Sequence, residues 1–341
     1  MSELRWNPLD EAWVVIADER GRRPTDFRPS RPQPVDRAAH PCPFCLIQDG
    51  YGTNTRLASR AVGEDRALVV ANLYPALGVE APETRRAEGP WAMAGGVGAH
   101  EVVIETRRHE TRLKDLPDAQ IAAVLGLWRD RIADLEGDRR MRWVTAFRNE
   151  GPAAGATLEH PHSQILASAV LPERIARTVA ATRAHHARTE RCLTCDIIAH
   201  DRAAGDRVIA EHAGFLALAP YASRHPFEVW ILPTTHAARF TGLDAAGLDA
   251  LGSLLGRVLR VLDDALDGVG PNMSLHHAPS GRSFAAAKGE PCDDHWHWRI
   301  EILPRIQGYG GLEVSQGLHV NPTPPEAAAA HLRTLLSSGS A

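Results

Sequence analysis

Apolar residues recur along this chain with two periods that take turns. Alternating or short continuous apolar runs predict strands at Ala12–Ala17, Arg66–Ala71, His100–Thr106, Trp143–Phe147 and His160–Ala167. Between them, Ile121, Val124, Leu125, Trp128 and Ile132 fall at helical spacing, which predicts a helix over Asp118–Leu135 after the turn at Leu116-Pro117. Another helix is predicted at Glu173–Thr189, with Pro172 as its first-turn proline. The later part of the chain predicts strands at Arg207–Glu211, Phe215–Ala219, Phe227–Leu232, Asn272–His276 and His295–Leu303. Its helix is Ala245–Asp267, with Leu248, Leu251, Leu254, Leu255, Val258, Leu259 and Leu262 on one broad face. Two stretches predict no regular structure: the arginine- and proline-rich arm Arg20–Pro34, and the Gly/Pro/Ala-rich residues 78–99.

The order of elements occurs twice. Each half gives a C-x-x-C pair, strands, a helix, a strand, a small-residue loop and a segment bearing His-x-His. Glu101-Val102-Val103-Ile104 leads to His109, and Glu228-Val229-Trp230-Ile231 leads to His236, at one Glu-to-His offset. This self-similarity predicts an α+β fold of two tandem repeats, each an antiparallel sheet with helices, over residues 1–172 and 173–341. It also groups Cys42, Cys45, His109 and His160 in one set, and Cys192, Cys195, His236 and His297 in the other. Two cysteines and two histidines make a closed tetrahedral zinc complement, so about two zinc ions per chain are expected, in structural roles. The C-x-x-C pairs taken alone also allow redox chemistry. His109 and His236 taken alone also allow plain surface histidines. In the second half, tryptophans flank the His-x-His, and Arg299 is expected where the first half has Gln164.

Composition narrows the function classes. The 341 residues are 44% hydrophobic and 23% charged, with a net charge of −4, so a chain built to grip nucleic acid or an anionic membrane is not expected. No apolar run is long enough to span a bilayer, and a cytoplasmic enzyme is expected.

The chemistry concentrates in Thr157-Leu158-Glu159-His160-Pro161-His162-Ser163-Gln164, entered through the small-residue run Gly151–Ala156. On a strand, His160, His162 and Gln164 would share a face. Neutral imidazole is a good nucleophile toward phosphorus and a good leaving group from it, so His162 is the expected nucleophile. Gln164 could donate to a phosphate oxygen as charge moves there. Thr157, the backbone amides of the small-residue run and Asn149 could hold phosphates or ribose. Arg20 and Arg23 have the geometry for phosphate, although the arm that carries them also reads as a solvated linker. His-Pro-His also fits a buried hydrogen-bonded pair or a pair of metal ligands.

Nearly end to end, the chain resembles the galactose-1-phosphate uridylyltransferase branch of the histidine-triad superfamily. The resemblance is carried by Arg20-Gly21-Arg22-Arg23-Pro24, Cys42-Pro43-Phe44-Cys45, Asn72-Leu73-Tyr74-Pro75-Ala76-Leu77, Asn149 with Gly151, and His160-Pro161-His162-Ser163-Gln164. It implies a homodimer and a ping-pong reaction through a nucleotidyl-histidine at His162, beside a zinc held by Cys42, Cys45, His109 and His160. It further implies nucleotide contacts from Asn72, Asn149, Thr157 and Gln164, phosphate contacts from Arg20 and Arg23, and sugar-phosphate contacts at Glu313 and His319. Ser163 replaces that family's usual Gly, Thr178 stands where a metal-binding Glu is common, and His319 stands where a Gln is usual. Ser163, Cys192/Cys195 and Arg23–Phe27 look more like the ADP-glucose phosphorylase branch. The expected partners are a nucleotide sugar with a sugar-1-phosphate or phosphate. The competing readings are an ADP-sugar phosphorylase, a zinc-stapled nucleotide-binding module without turnover, and a hydrolase of dinucleoside polyphosphates.

Overall fold

The computed structural model describes residues 2–18, 42–280 and 292–339. Its frame is a ten-stranded antiparallel sheet to which the two halves contribute five strands each. The first half supplies β3 (Arg56–Val62), β4 (Asp65–Ala71), β7 (Gly98–Ile104), β8 (Trp143–Asn149) and β9 (His162–Ser168). The second supplies β10 (Val208–His212), β11 (Phe215–Leu218), β12 (Val229–Pro233), β13 (Pro271–His276) and β14 (Arg299–Pro304). The order β3-β4-β7-β9-β8 meets its counterpart β10-β11-β12-β14-β13 where β8 pairs with β13, Asn149 opposite Asn272.

The long helices α2 (Asp118–Glu136) and α5 (Ala245–Ala265) lie against one face of this sheet. Asp244 caps α5 by accepting the Gly247 N–H at 2.8 Å. The leucines expected on its inner face are all buried, packed with Trp128 of α2 and with Val103, Ile165, Val229, Ile231 and Ile300 of the sheet. The two helices cross so closely at Gly252 that a Cβ there would stand 2.9 Å from the Ala122 backbone nitrogen. Truncating Leu251 in this core would cost about 2–5 kcal/mol.

Each half repeats one device on the opposite face. Helix α1 (Pro43–Gln48) covers Leu68, Val70, Val102 and Ile104 with Phe44 and Ile47. Helix α4 (Leu193–Ala204) covers Leu216, Leu218, Trp230 and Leu232 with Ile198. Cys42 and Cys192 are the N-caps of these helices, so each C-x-x-C wraps a first helical turn.

Around the frame, β1 (Glu3–Asn7) and β2 (Ala12–Ile16) form a small sheet with β15 (His319–Asn321), which runs parallel to β2. Residues expected to be irregular contain the hairpin β5 (Arg85–Glu88) and β6 (Trp91–Ala94). Helices α3 (Glu173–Thr189), α6 (Gly311–Gln316) and α7 (Pro325–Ser337) complete the chain. No described helix is long and apolar enough to cross a membrane.

Two expectations are corrected. His160 and His297 do not lie on strands. β9 begins at His162 and β14 at Arg299, and after His160 it is Pro161, with no N–H to give to a sheet ladder, that ends the turn. The matched glutamates are also out of phase. Glu101 faces α2 and pairs with Arg131 at 2.6 Å, whereas Glu228 faces the other way and accepts the Trp230 indole N–H at 2.9 Å. A one-residue difference in strand position turns a side chain to the opposite face.

Candidate active site

The first Cys₂His₂ set converges from four places in the sequence. Cys42, Cys45, His109 and His160 bring one ligand atom each to within 4.8 Å of one another. His160 Nε2 donates to the Thr106 carbonyl at 2.9 Å. That leaves its Nδ1 bare, facing the Cys45 and Cys42 sulfurs at 3.5 and 3.9 Å. His109 Nδ1 stands 3.4 Å from Cys45 Sγ. A histidine whose remote nitrogen is tied to a carbonyl is the usual form of a metal ligand.

Cys192, Cys195, His236 and His297 form the second set under the same 4.8 Å limit. His297 Nε2 donates to Pro233 O at 3.0 Å and His236 Nε2 to Asp293 O at 2.7 Å. Both Nδ1 atoms lie 3.5 Å from Cys195 Sγ. A hydrogen bond from Cys195 holds the Cys192 thiol below its ordinary value, while the same contact pushes Cys195 up, so the pair shares one proton; thiolate is the form that binds metal. His295 is excluded, its Nδ1 3.0 Å from Thr182 Oγ1. Thr178 is also excluded, since it bonds back to Arg174 O on its own helix. The remaining thiol, Cys292, is buried at 3.7 Å from Pro279 O, and burial pushes it up to about 11.

His162 lies at the head of β9 with the opposite polarity from His160. Its Nδ1–H donates to the His160 carbonyl at 2.9 Å, so Nε2 is the bare nitrogen. Burial lowers its pKa, which favours neutral imidazole. His162 lines a cleft of about 540 Å³ together with His160, Asn149, Thr157 and the Gly151–Pro152 turn. Gly151 and Gly155 have φ of 75° and 86°, which suits residues without a Cβ. In the cleft's lining, buried Arg148 bonds Glu105 at 3.0 Å and also meets Glu150, which is gripped by Arg112 as well. Burial alone would raise Glu150, but Arg148 and Arg112 hold it below the ordinary carboxylate value. A roomier groove of about 700 Å³ lies along β5–β6, lined by arginines and small apolar residues without a nucleophile.

Three amide side chains expected at the site have their oxygens engaged, and each assignment rests on a backbone group of fixed polarity. Asn72 Oδ1 accepts the Tyr74 N–H at 2.9 Å. Asn272 donates to Ala154 O at 2.8 Å, so the same NH₂ also donates to Asn149 Oδ1 at 2.8 Å. The Ala76 N–H donates to His100 Nδ1 at 3.1 Å, so His100 Nε2 is protonated and donates to Gln164 Oε1 at 2.7 Å. Asn72, Asn149 and Gln164 thus keep only N–H groups to offer, a pattern for oxygen-rich, anionic ligands. Ser163 points to the other face of the sheet, where its Oγ accepts the Trp128 indole N–H at 2.9 Å.

Comparison with known proteins settles the family. The model of the galactose-1-phosphate uridyl transferase N-terminal domain matches residues 1–172. The chain belongs to the galactose-1-phosphate uridyl transferase family. It is 31% identical to an ADP-glucose phosphorylase of Arabidopsis thaliana over 97% of this chain and 92% of that one. It is 29% identical to a galactose-1-phosphate uridylyltransferase of Thermotoga maritima over 98% of both. A solved Arabidopsis thaliana ADP-glucose phosphorylase with bound ADP-glucose superposes with a TM-score of 0.79 at 27% identity, over 98% of each chain. These relatives are nucleotidyltransferases, and so is this enzyme.

Not every expected residue gathers at the cleft. Gln164 and Asn72 meet at His100, beside the cleft and not in its lining. Glu313, on α6, and His319, on β15, lie outside that lining; His319 stacks near Tyr309 and His225. Arg20 and Arg23 lie outside the described residues. Sequence reasoning missed His100, Asn272, Arg148 and Glu105. His100 alone had a signal, as the in-phase neighbour of Val102 on β7; the others are brought in by tertiary pairing.

Proposed function

We propose that this enzyme moves a nucleoside monophosphate between a nucleotide sugar and a hexose-1-phosphate, with His162 as the covalent carrier. His162 Nε2 attacks the phosphorus next to the nucleoside. A P–N bond forms, the P–O bond to the departing sugar phosphate breaks, and the electron pair leaves with that oxygen. The acceptor's phosphate oxygen then attacks from the vacated side and breaks the P–N bond. The observation that carries this reading is the His162 ring, with Nδ1–H anchored on the His160 carbonyl and Nε2 bare toward a cleft. That carbonyl stabilises the positive charge the ring takes on as it becomes nucleotidylated. Gln164 and Asn149 donate to non-bridging phosphate oxygens, Asn72 and Thr157 contact the nucleotide, and the Gly151–Ala156 amides help hold the phosphates.

Zinc suits both Cys₂His₂ sets, because two sulfurs and two imidazole nitrogens form a closed tetrahedral donor group. It would act as a cross-link, fixing His160 and through it the carbonyl that orients His162. We place Arg20, Arg23, Glu313 and His319 on the phosphates and sugar, reaching a cleft completed in a cytoplasmic homodimer. The 31% likeness to an ADP-glucose phosphorylase favours a second reading, in which an ADP-sugar is the donor and inorganic phosphate the acceptor.

Label exchange separates the two. Under the first reading, labelled hexose-1-phosphate enters the nucleotide sugar when UDP-glucose is the donor. Under the second, labelled phosphate enters ADP when ADP-glucose is the donor. Nucleotide binding without exchange in either mixture would reduce the protein to a binding module.

A further inference from the structure

We infer that His100 is a positioning residue that sets the polarity of the Gln164 amide, an inference that rests on the function proposed above. An amide has two faces of similar shape, and only its NH₂ can serve a phosphate oxygen. Among the described residues Gln164 has no backbone partner for its side chain; its Oε1 is held by His100 Nε2 at 2.7 Å. The direction of that bond is decided on the far side of the imidazole, where the Ala76 N–H requires a bare Nδ1. A proton placed by one loop amide therefore fixes, through one ring, which end of Gln164 is turned outward.

The ring also joins two parts of the site. The His100 carbonyl accepts the Asn72 N–H at 3.0 Å, and Asn72 Nδ2 lies 3.4 Å from His100 Nε2. Since Nε2 carries the proton, Asn72 cannot donate to it, and its NH₂ remains available. His100 thus ties the Asn72–Ala76 loop to β9. The second half keeps the tie and loses the relay. Glu228 takes the corresponding place and accepts the Arg224 N–H at 2.7 Å. The residue at the Gln164 position there is Glu301, which has no amide to orient.

The test is a double-mutant cycle on the full-length enzyme. His100→Leu should lower kcat by about tenfold to a hundredfold, short of the loss for a whole oxyanion donor, while KM for the nucleotide sugar moves less than about threefold. His100→Gln, which returns an N–H donor toward Gln164, should recover most of the loss. In a Gln164→Ala background, His100→Leu should cost less than about twofold, because its effect passes through Gln164. An undiminished loss in that background would overturn the inference, and so would an unchanged kcat in the single variant. If His100→Leu fails to fold, ¹⁵N shifts of the wild-type ring decide: the Nε2–H tautomer is expected, and the Nδ1–H tautomer would overturn it. A wild-type His162 adduct alongside any of these failures would leave the proposed function standing.

Discussion

Two equivalent strands of this sheet carry opposite chemistry. Cross-strand partners fix the equivalence: Val102 faces Gln164 and Phe147 faces Gln164 in the first half, while Trp230 faces Glu301 and Ser274 faces Glu301 in the second. His160 and His297, each tied through Nε2 to a carbonyl, then bring His162 into line with Arg299 and Gln164 with Glu301. The sequence expectation that Arg299 replaces Gln164 is therefore off by one alternation; Arg299 takes the place of His162, the proposed nucleophile. In the first half a neutral ring faces the cleft and a neutral amide lies beside it. In the second, Arg299 stacks on Trp230 at 4.7 Å, and Glu301 is shared among Arg299, Arg174, Arg224 and His276. One copy keeps its groups uncharged and open. The other fills the same place with a buried ionic cluster, so both copies retain a Cys₂His₂ set while a histidine with a bare Nε2 at a cleft survives in one.

The largest way to break this contrast is at His162, the proposed nucleophile. His162→Ala should abolish transfer by about 10⁴-fold or more, the scale on which loss of a covalent nucleophile acts, with metal content and thermal midpoint near wild type. Initial-rate exchange assays measure it. Retention of more than about a tenth of the activity would remove the asymmetry between the halves.

Metal removal comes next. Cys42→Ser and Cys192→Ser should each lose about one metal ion per chain on the four-ligand arithmetic, measured by elemental analysis. Cys42→Ser should also lose activity, because its set fixes the carbonyl under His162. Cys192→Ser should lose stability first. Equal loss of activity in both would contradict the division of labour.

Arg299→Ala should destabilise by about 3–5 kcal/mol, since it leaves Glu301 buried with its charge incompletely matched, while nucleotidylation of the folded protein continues. Denaturant midpoints and adduct yield are the two readouts. Acid should act through the same cluster. Burial alone would raise Glu301, but Arg174, His276, Arg299 and Arg224 together hold it well below its ordinary 4.5. Its stabilisation is present above 4.5 and is lost as pH falls below that value toward the lowered pKa. Thermal midpoints of wild type should therefore drop on acidification more steeply than those of Arg299→Ala. The smallest effect is expected from Asn272→Ala, which frees the Asn149 amide and the Ala154 carbonyl at a cost of about 1–2 kcal/mol, read as a fall in kcat/KM.

Much of this was legible in the chain because its signals are local. The apolar spacing of Leu248 through Leu262 fixes α5, and the two C-x-x-C pairs with distant histidines fix both metal sets. What escaped depends on strand phase and on pairing between distant segments. The Glu101/Glu228 match grouped the right histidines for a wrong reason, because identical letters can face opposite sides of a sheet. His100 and Asn272 act on residues 64 and 123 positions away, and no short-range pattern announces such pairs. The β5–β6 hairpin escaped because glycine, proline and alanine around it carry no apolar alternation.

The most direct measurement is mass spectrometry of the enzyme mixed with nucleotide sugar alone, followed by peptide mapping. One added nucleoside monophosphate on the peptide carrying His162, with none on the peptide carrying His297 and Arg299, is the expected result. An adduct in the second half, or none with either UDP-glucose or ADP-glucose, would contradict it.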